Sequence, residues 1–387
     1  MRMKSPAQID IPDLSSISRD LSEWDQETYL KIVSTHLTLE QVEWIIAPPR
    51  IYPEQEHVLA IHWHPEYVPL DLIERRITTM FPNRKNELVI PTQHNIPLDY
   101  HEYTGVEVDC FSREFNRKVQ LLFHFETAKL KSPRADVFKA MLQHTFQYRS
   151  SQLYDFIDTI LEPSREDRLH QVAGETGAND ELIGFVRLYI SKLKRLIDSN
   201  RSVTPAEMIK NKLIRDWFDE LRELYDDRLI NRAQVFLKVV KEVVKAHFTL
   251  DYFYQTKEVI EEGRSLGAGI VIPHPEQFWP ILLADYDVDG YEVWNPQSRE
   301  FTEFFINVVN RRNKSREGWE RSVLVFMGDD THMSEKARNP ILQDREKVGR
   351  EIGLQEAWDD LAIRKSLIVA NSDRPRIIRE YKNRLRG

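Results

Sequence analysis

VLAIHWH, residues 58–64, is a short run that stays apolar until it closes on two histidines, His62 and His64. A near-continuous apolar run of this length suits a strand buried on both faces, as in a parallel sheet between helices. Working outward, the same texture returns in ELVIPTQ (87–93), GVEVDCF (105–111) and VQLLFHFE (119–126). After a long gap it returns again in GAGIVIPH (267–274), GYEVWN (290–295) and SVLVFMGDD (322–330). Intervening segments such as EFTEFFINVVNRR (300–312) carry helical spacing. The expectation is an α/β fold with a barrel-like core of about seven strands.

The remaining segments divide the chain. Residues 1–55 read as an N-terminal helical extension, in which Thr38 and Gln41 form a capping box before LEQVEWII and Pro48-Pro49 closes the segment. Residues 56–130 and 259–340 read as the two parts of the barrel, and 341–387 as a C-terminal helical tail. Residues 131–258 read as an all-helical insertion. Ser132-Pro133 looks like an N-cap and first helical position, and Thr204-Pro205 with Glu207 like a second start. Leu182, Val186, Tyr189, Leu193 and Ile197 recur at helical spacing between them.

Composition sets limits on function. The chain has 387 residues and is 41% hydrophobic, enough for a sizeable core. One cysteine, Cys110, excludes an internal disulfide and fits a reducing compartment. No run approaches the length of a membrane span, and the opening residues lack a signal-peptide core, so the expectation is a cytoplasmic protein with no membrane partner. A net charge of −8 argues against a uniformly basic nucleic-acid coat. Basic clusters at Arg311-Arg312-Asn313-Lys314 and RPRIIREYKNRLRG (374–387) read first as solvated helix faces. Phosphate or nucleic-acid contact is their alternative reading.

The chemistry-bearing residues fall at strand ends. His62 and His64 end the first strand, His94 follows the second, and Glu107 lies in the third. His124 lies near the end of the fourth, His274 ends the fifth, and Asp330 and His332 follow the last. Side chains at the carboxyl ends of barrel strands converge on one mouth. Imidazoles and carboxylates together there make a ligand set for Zn²⁺, Mn²⁺ or Fe²⁺. Taken singly, each has a plain reading: an ordinary pair of histidines, a strand-ending His-Pro turn, a solvated glutamate, a loop. Their joint placement is what points to a metal site. Cys110 and Trp63 read as core residues, and His101, His144, His170 and His247 as structural or surface residues.

These residues resemble the PHP (polymerase and histidinol phosphatase) superfamily. HWHPEYVPLD (62–71) looks like its first motif, in which an HxH pair is followed by an Asp, and TQHN (92–95) like its second. Gly105-Val106-Glu107 resembles the segment whose carboxylate bridges two metals, and His124 the lone histidine after it. EVIEEGRSLGAGIVIPHPEQ, DGYEVWNP and Gly328-Asp329-Asp330-Thr331-His332 resemble the three closing motifs. The resemblance spans roughly 55–130 and 255–335 and implies a distorted (β/α)7 TIM-like barrel holding two or three divalent ions, Mn, Zn or Fe. It implies His62, His64, Asp71, His94, Glu107, His124, His274, Asp330 and His332 as ligands. His62, His64, Glu107 and Asp330 would share one ion, Glu107, His124 and His274 a second, and Asp71, His94 and His332 a third. Gln93 replaces the usual Asp, Asp329 a Ser, and the surroundings of Asp71 depart most from the pattern. The amidohydrolase barrel, which also begins with HxH, would need a bridging Lys and a lone closing Asp.

The implied activity is hydrolysis of a phosphate ester by metal-bound hydroxide, with Glu107, Asp330 and His332 as its catalytic residues. The expected substrate is a phosphomonoester, a phosphorylated small molecule or a nucleotide. One alternative is a nuclease cutting nucleic-acid phosphodiesters, within a larger complex reached through a partner protein at the helical insertion. The other alternative is a non-catalytic scaffold.

Overall fold

A computed structural model describes residues 11–316 and 321–387, so the first ten residues of the expected N-terminal extension lie outside the described residues. The chain forms two compact units.

One unit joins the N-terminal segment through His36 to Gln147–Thr249 and is helical. Its helices include Glu23–Val33, Tyr148–Leu161, Asp180–Ser199 and Asp227–His247. The expected stripe Leu182, Val186, Tyr189, Leu193 and Ile197 is buried along one of them, opened by Asn179 accepting from the Leu182 amide. Phe156, Phe185, Trp217 and Phe236 fill the same core. Thr204 does not cap a helix. Its hydroxyl donates back to the Asn200 carbonyl, and only a 3₁₀ turn, Ala206–Met208, follows Pro205.

The second unit, Leu37–Phe146 with Leu250–Gly387, holds every strand among the described residues. The expected capping box of Thr38 and Gln41 forms at the start of Leu39–Ile46, and Ser132 accepts from the Arg134 amide ahead of a 3₁₀ turn opened by Pro133. The strands are β1 (His57–Ala60), β2 (Trp63–His64), β3 (Asn86–Val89), β4 (Leu98–Tyr100) and β5 (Tyr103–Ser112). They continue with β6 (Arg117–Glu126), β7 (Gly269–Ile272), β8 (Gly290–Trp294), β9 (Leu324–Met327) and β10 (Thr331–His332).

They do not make one closed sheet. β1 pairs with β3, β2 with β10, and a separate sheet of six strands runs β4-β5-β6-β7-β8-β9. The α/β class holds, while the strands expected as one barrel are divided among these sheets. A few backbone bonds connect them: the Asp330 amide donates to the His62 carbonyl, Thr92 to Trp63, Glu107 to Gln93 and Asn95 to Glu107. Gly105 lets β5 come this close, since a Cβ there would lie 2.1 Å from the Pro91 carbonyl oxygen.

β6 departs most from an all-parallel reading. It is antiparallel to both β5 and β7, whereas β7, β8 and β9 are mutually parallel. The connection from Ser112 to Arg117 is far shorter than the dozen or so residues a parallel crossover needs, so β5 and β6 must form a hairpin. Beneath the strands, the C-terminal helix Arg374–Arg386 packs Ile377, Ile378, Tyr381 and Leu385 against Leu59, Ile61, Leu122, Val271 and Phe326. The basic tail is therefore partly drawn inward. Arg374 donates to the Gln355 carbonyl, and Arg384 pairs with Asp289 and Glu380. Arg312 likewise pairs with Asp285 and donates to the Tyr291 hydroxyl.

Candidate metal centre

Glu107 stands at the middle of the site. It lies within β5, is fully buried, and directs its two oxygens to different imidazoles. Oε1 lies 3.6 Å from His274 Nε2 and 3.9 Å from His62 Nε2. Oε2 lies 2.8 Å from His94 Nδ1 and 3.6 Å from His64 Nε2. Neither oxygen makes a hydrogen bond of good geometry, and His62 Nε2 is also buried without one. Buried polar atoms are nearly always paired, so a cluster of unpaired ones calls for a ligand.

Asp330 and His332 close the site from the segment after β9. Asp330 Oδ1 is 3.5 Å from His332 Nε2, 3.6 Å from His64 Nε2 and 3.8 Å from His62 Nε2. Donor atoms of His62, His64 and Glu107 lie within 4.8 Å of one another, as do those of His64, Asp330 and His332. Backbone strain gathers here too: Glu66, Asn95, His274 and Asp330 all have positive φ. Such outliers persist where surrounding structure holds them for a purpose.

The electrostatics favour positive charge in this space. Burial works against charge on His62, but the carboxylates of Glu292, Asp330 and Glu107 outweigh it and hold its pKa up to about 10. Burial resists ionisation of Glu107 and Asp330 as well, yet the surrounding imidazoles hold both well below the usual carboxylate range. His64 moves the other way, down to about 3, because it is buried and next to His332.

Two residues of the expected ligand set, His124 and Asp71, are not in these groups. His124 faces the inside of the hairpin, but β6 runs backwards, so its end lies away from the mouth. Its Nε2 lies 2.9 Å from the Ile61 carbonyl oxygen and its Nδ1 2.7 Å from the Tyr381 hydroxyl. A carbonyl only accepts, so Nε2 carries the proton and Nδ1 accepts from Tyr381, and both nitrogens are engaged within the protein. Asp71 is exposed in the first turn of the helix Leu70–Met80, where a carboxylate suits the helix dipole. Besides Asp330, Glu66 stands beside His332, with Oε1 3.7 Å from its Nδ1.

Comparison with known proteins adds little to this. No family model and no curated protein matches the chain. A solved structure from Bifidobacterium adolescentis, provisionally described as a metal-dependent phosphoesterase, is similar over 82% of this chain and 97% of its own. Its sequence identity is 16% and its TM-score 0.41, too distant to carry any part of the assignment, which rests on the site itself.

Sequence reading passed over three supporting residues. Glu292, fully buried in β8, accepts from His62 Nδ1 at 2.8 Å and from the His274 amide at 2.7 Å. That bond fixes the His62 tautomer and turns Nε2 toward Glu107. Gly328 makes room for it, because a Cβ there would lie 1.6 Å from Glu292 Oε1. An acidic residue inside the apolar run GYEVW was a signal for Glu292. Arg350 donates to Asp330 Oδ2 at 2.7 Å, which leaves Oδ1 for the imidazoles. Asp109, two residues beyond Glu107, is also fully buried. Trp63 is core, edge-on to Tyr100, and burial pushes the Cys110 thiol up to about 12.

No helix among the described residues is long and apolar enough to cross a membrane.

Proposed function

We propose that the protein is a metal-dependent phosphoesterase of the PHP type, acting on a phosphomonoester or nucleotide. The observation that supports this most is Glu107, a buried carboxylate whose unpaired oxygens face separate imidazole pairs. That arrangement suits a carboxylate joining two cations. The backbone bonds at His62, Trp63 and Gln93 favour reading the strands as a distorted (β/α)7 barrel with β6 reversed.

We read the site as holding two ions, since His124 is engaged by Ile61 and Tyr381 and Asp71 is exposed. His62, His64, Glu107 and His274 would surround one ion, and Asp330 and His332 a second with His64 or His94, beside Glu66. Imidazole-rich ligation suits Mn²⁺, Zn²⁺ or Fe²⁺, whereas Mg²⁺ prefers oxygen. When bound, such ions polarise phosphate oxygens and make a water acidic enough to ionise near neutral pH. Glu107 would sit between them, while Glu292 orients His62 and Arg350 orients Asp330. Substrate approaches over His94 and His332, whose side chains are 22% and 27% exposed. The nuclease alternative has less support, because a net charge of −8 argues against a uniformly basic surface for a nucleic-acid backbone.

The test compares hydrolysis of an aryl phosphate and of a labelled single strand in chelator, in Mg²⁺ alone and in Mn²⁺, with elemental analysis alongside. The expected result is two ions per chain and aryl phosphate turnover lost in chelator and restored better by Mn²⁺ than by Mg²⁺. Turnover that persists in chelator would overturn the assignment.

A further inference from the structure

The inner face of the β5–β6 hairpin is a graded surface. Register pairs Gly105 with His124, Glu107 with Leu122, Asp109 with Gln120 and Phe111 with Lys118. Side chains alternate across a strand, so all of these share the face that carries Glu107. Toward the mouth that face opens: His124 and Leu122 are buried, whereas Gln120 and Lys118 are partly exposed. Gln120 Nε2 lies 3.4 Å from His94 Nδ1, so this opening edge adjoins the metal centre.

Lys118 is held there by built contacts. Its ammonium lies 2.6 Å from Asp109 Oδ1 and 5.6 Å from the centre of the Phe253 ring. Asp109 is fixed in turn, with Oδ2 accepting from Asn95 Nδ2 at 2.7 Å and its amide donating to Asn95 Oδ1 at 3.0 Å. Asp109 is two residues from Glu107, about 7 Å along the strand. The ammonium is therefore anchored to a residue one strand repeat from Glu107, on the face that carries it. It remains 35% exposed on its side chain.

We propose that Lys118 forms a subsite beside the metal centre for the second negative charge of a terminal phosphate, so that the protein selects phosphomonoesters over phosphodiesters. This deepens the phosphoesterase reading and rests on it. A phosphomonoester carries nearly two negative charges at neutral pH, its second pKa lying near 6. A diester carries one, which the ions alone neutralise. Asp109 acts as a positioning residue, holding the ammonium at the mouth.

The test uses Mn²⁺-loaded full-length protein as wild type, Lys118→Met and Lys118→Arg, with metal content and melting temperature measured on each. Inorganic phosphate binding is read by calorimetry, and KM and kcat on an aryl phosphate and a bis-aryl phosphate. Lys118→Met should weaken phosphate binding and raise the monoester KM about tenfold, the scale of one charge-assisted hydrogen bond. Its kcat should move much less, its effect on the diester should be much smaller, and Lys118→Arg should recover most of the loss. A merely structural Lys118 would lower the melting temperature without separating the two esters. Unchanged phosphate affinity in loaded Lys118→Met, equal losses on both esters, or no phosphate binding by wild type would each overturn the proposal. If Lys118→Met misfolds around an unpaired Asp109, Asp109→Asn/Lys118→Met removes that burden and is read the same way. Lys118-dependent phosphate binding without hydrolysis of either ester would instead sink the phosphoesterase reading and keep the subsite.

Discussion

Glu107 and His124 stand on the same inner face of one hairpin, equally buried, and they behave oppositely. Both of Glu107's oxygens lack a well-formed hydrogen bond, while both of His124's nitrogens have one. Burial of a polar side chain therefore says little about function by itself. What separates the two layers is satisfaction. The lower layer, where His124 meets Ile61 and Tyr381, is closed by the protein's own donors and acceptors. The upper layer sets imidazoles and carboxylates 3.5–3.9 Å apart at most of its contacts, with His94 and Glu107 at 2.8 Å, spacings that suit donor atoms converging on an ion.

The sharpest way to break that comparison is at Glu107. Glu107→Gln keeps the shape of the side chain but removes the negative charge shared by His62, His64, His94 and His274. Ion binding should fall to one ion per chain or none, and phosphate-ester turnover by about a thousandfold or more, because the chemistry needs the ions together. The melting temperature without added metal should fall at neutral pH, since the imidazoles that hold the Glu107 carboxylate ionised lose their partner. Full ion content with wild-type turnover would show that Glu107 is not the bridge.

The sequence made the upper layer legible and the lower one misleading, for one physical reason. Strand identity can be read from apolar runs, and His62, His64, His94, Glu107, His274, Asp330 and His332 were found by assuming that chain-final strand ends share a mouth. That assumption holds for parallel strands. It does not apply at β6, where the short turn of Arg113, Glu114, Phe115 and Asn116 reverses the chain and sets His124 opposite Gly105, one layer below Glu107. The turn length was visible and carried the warning. Glu66 and Arg350 were not visible in this way, because their proximity to His332 and Asp330 depends on segments distant in sequence. Asp71 lies in the helix that follows Pro69, which turns the residue out at the first turn.

A second, smaller effect should appear in the lower layer. His124→Leu removes two buried hydrogen bonds and leaves the Tyr381 hydroxyl and Ile61 carbonyl without their partner. The expected cost is about 2–4 kcal/mol of unfolding free energy, measured by denaturant titration. Ion stoichiometry should stay at the wild-type value. An ion lost on this substitution, with the protein still folded, would return His124 to the site and undo the distinction between the layers.

The smallest effect is expected at Asp71, and its smallness is informative. The family pattern would make this carboxylate the oxygen ligand of a third ion, so Asp71→Asn should then remove an ion and most of the activity. Here its side chain is exposed at the start of the helix Leu70–Met80, and Glu66 is the acid that stands by His332. Losing the Asp71 charge costs the helix only its favourable interaction with the N-terminal dipole, about 0.3–1 kcal/mol at an exposed position. Ion content and turnover should stay within about twofold of wild type, well inside one tenfold step of 1.4 kcal/mol. Glu66→Gln in the same assay should weaken whichever ion His332 holds. If Asp71→Asn loses an ion while Glu66→Gln does not, the helix start must rearrange when metal binds, and the centre is trinuclear.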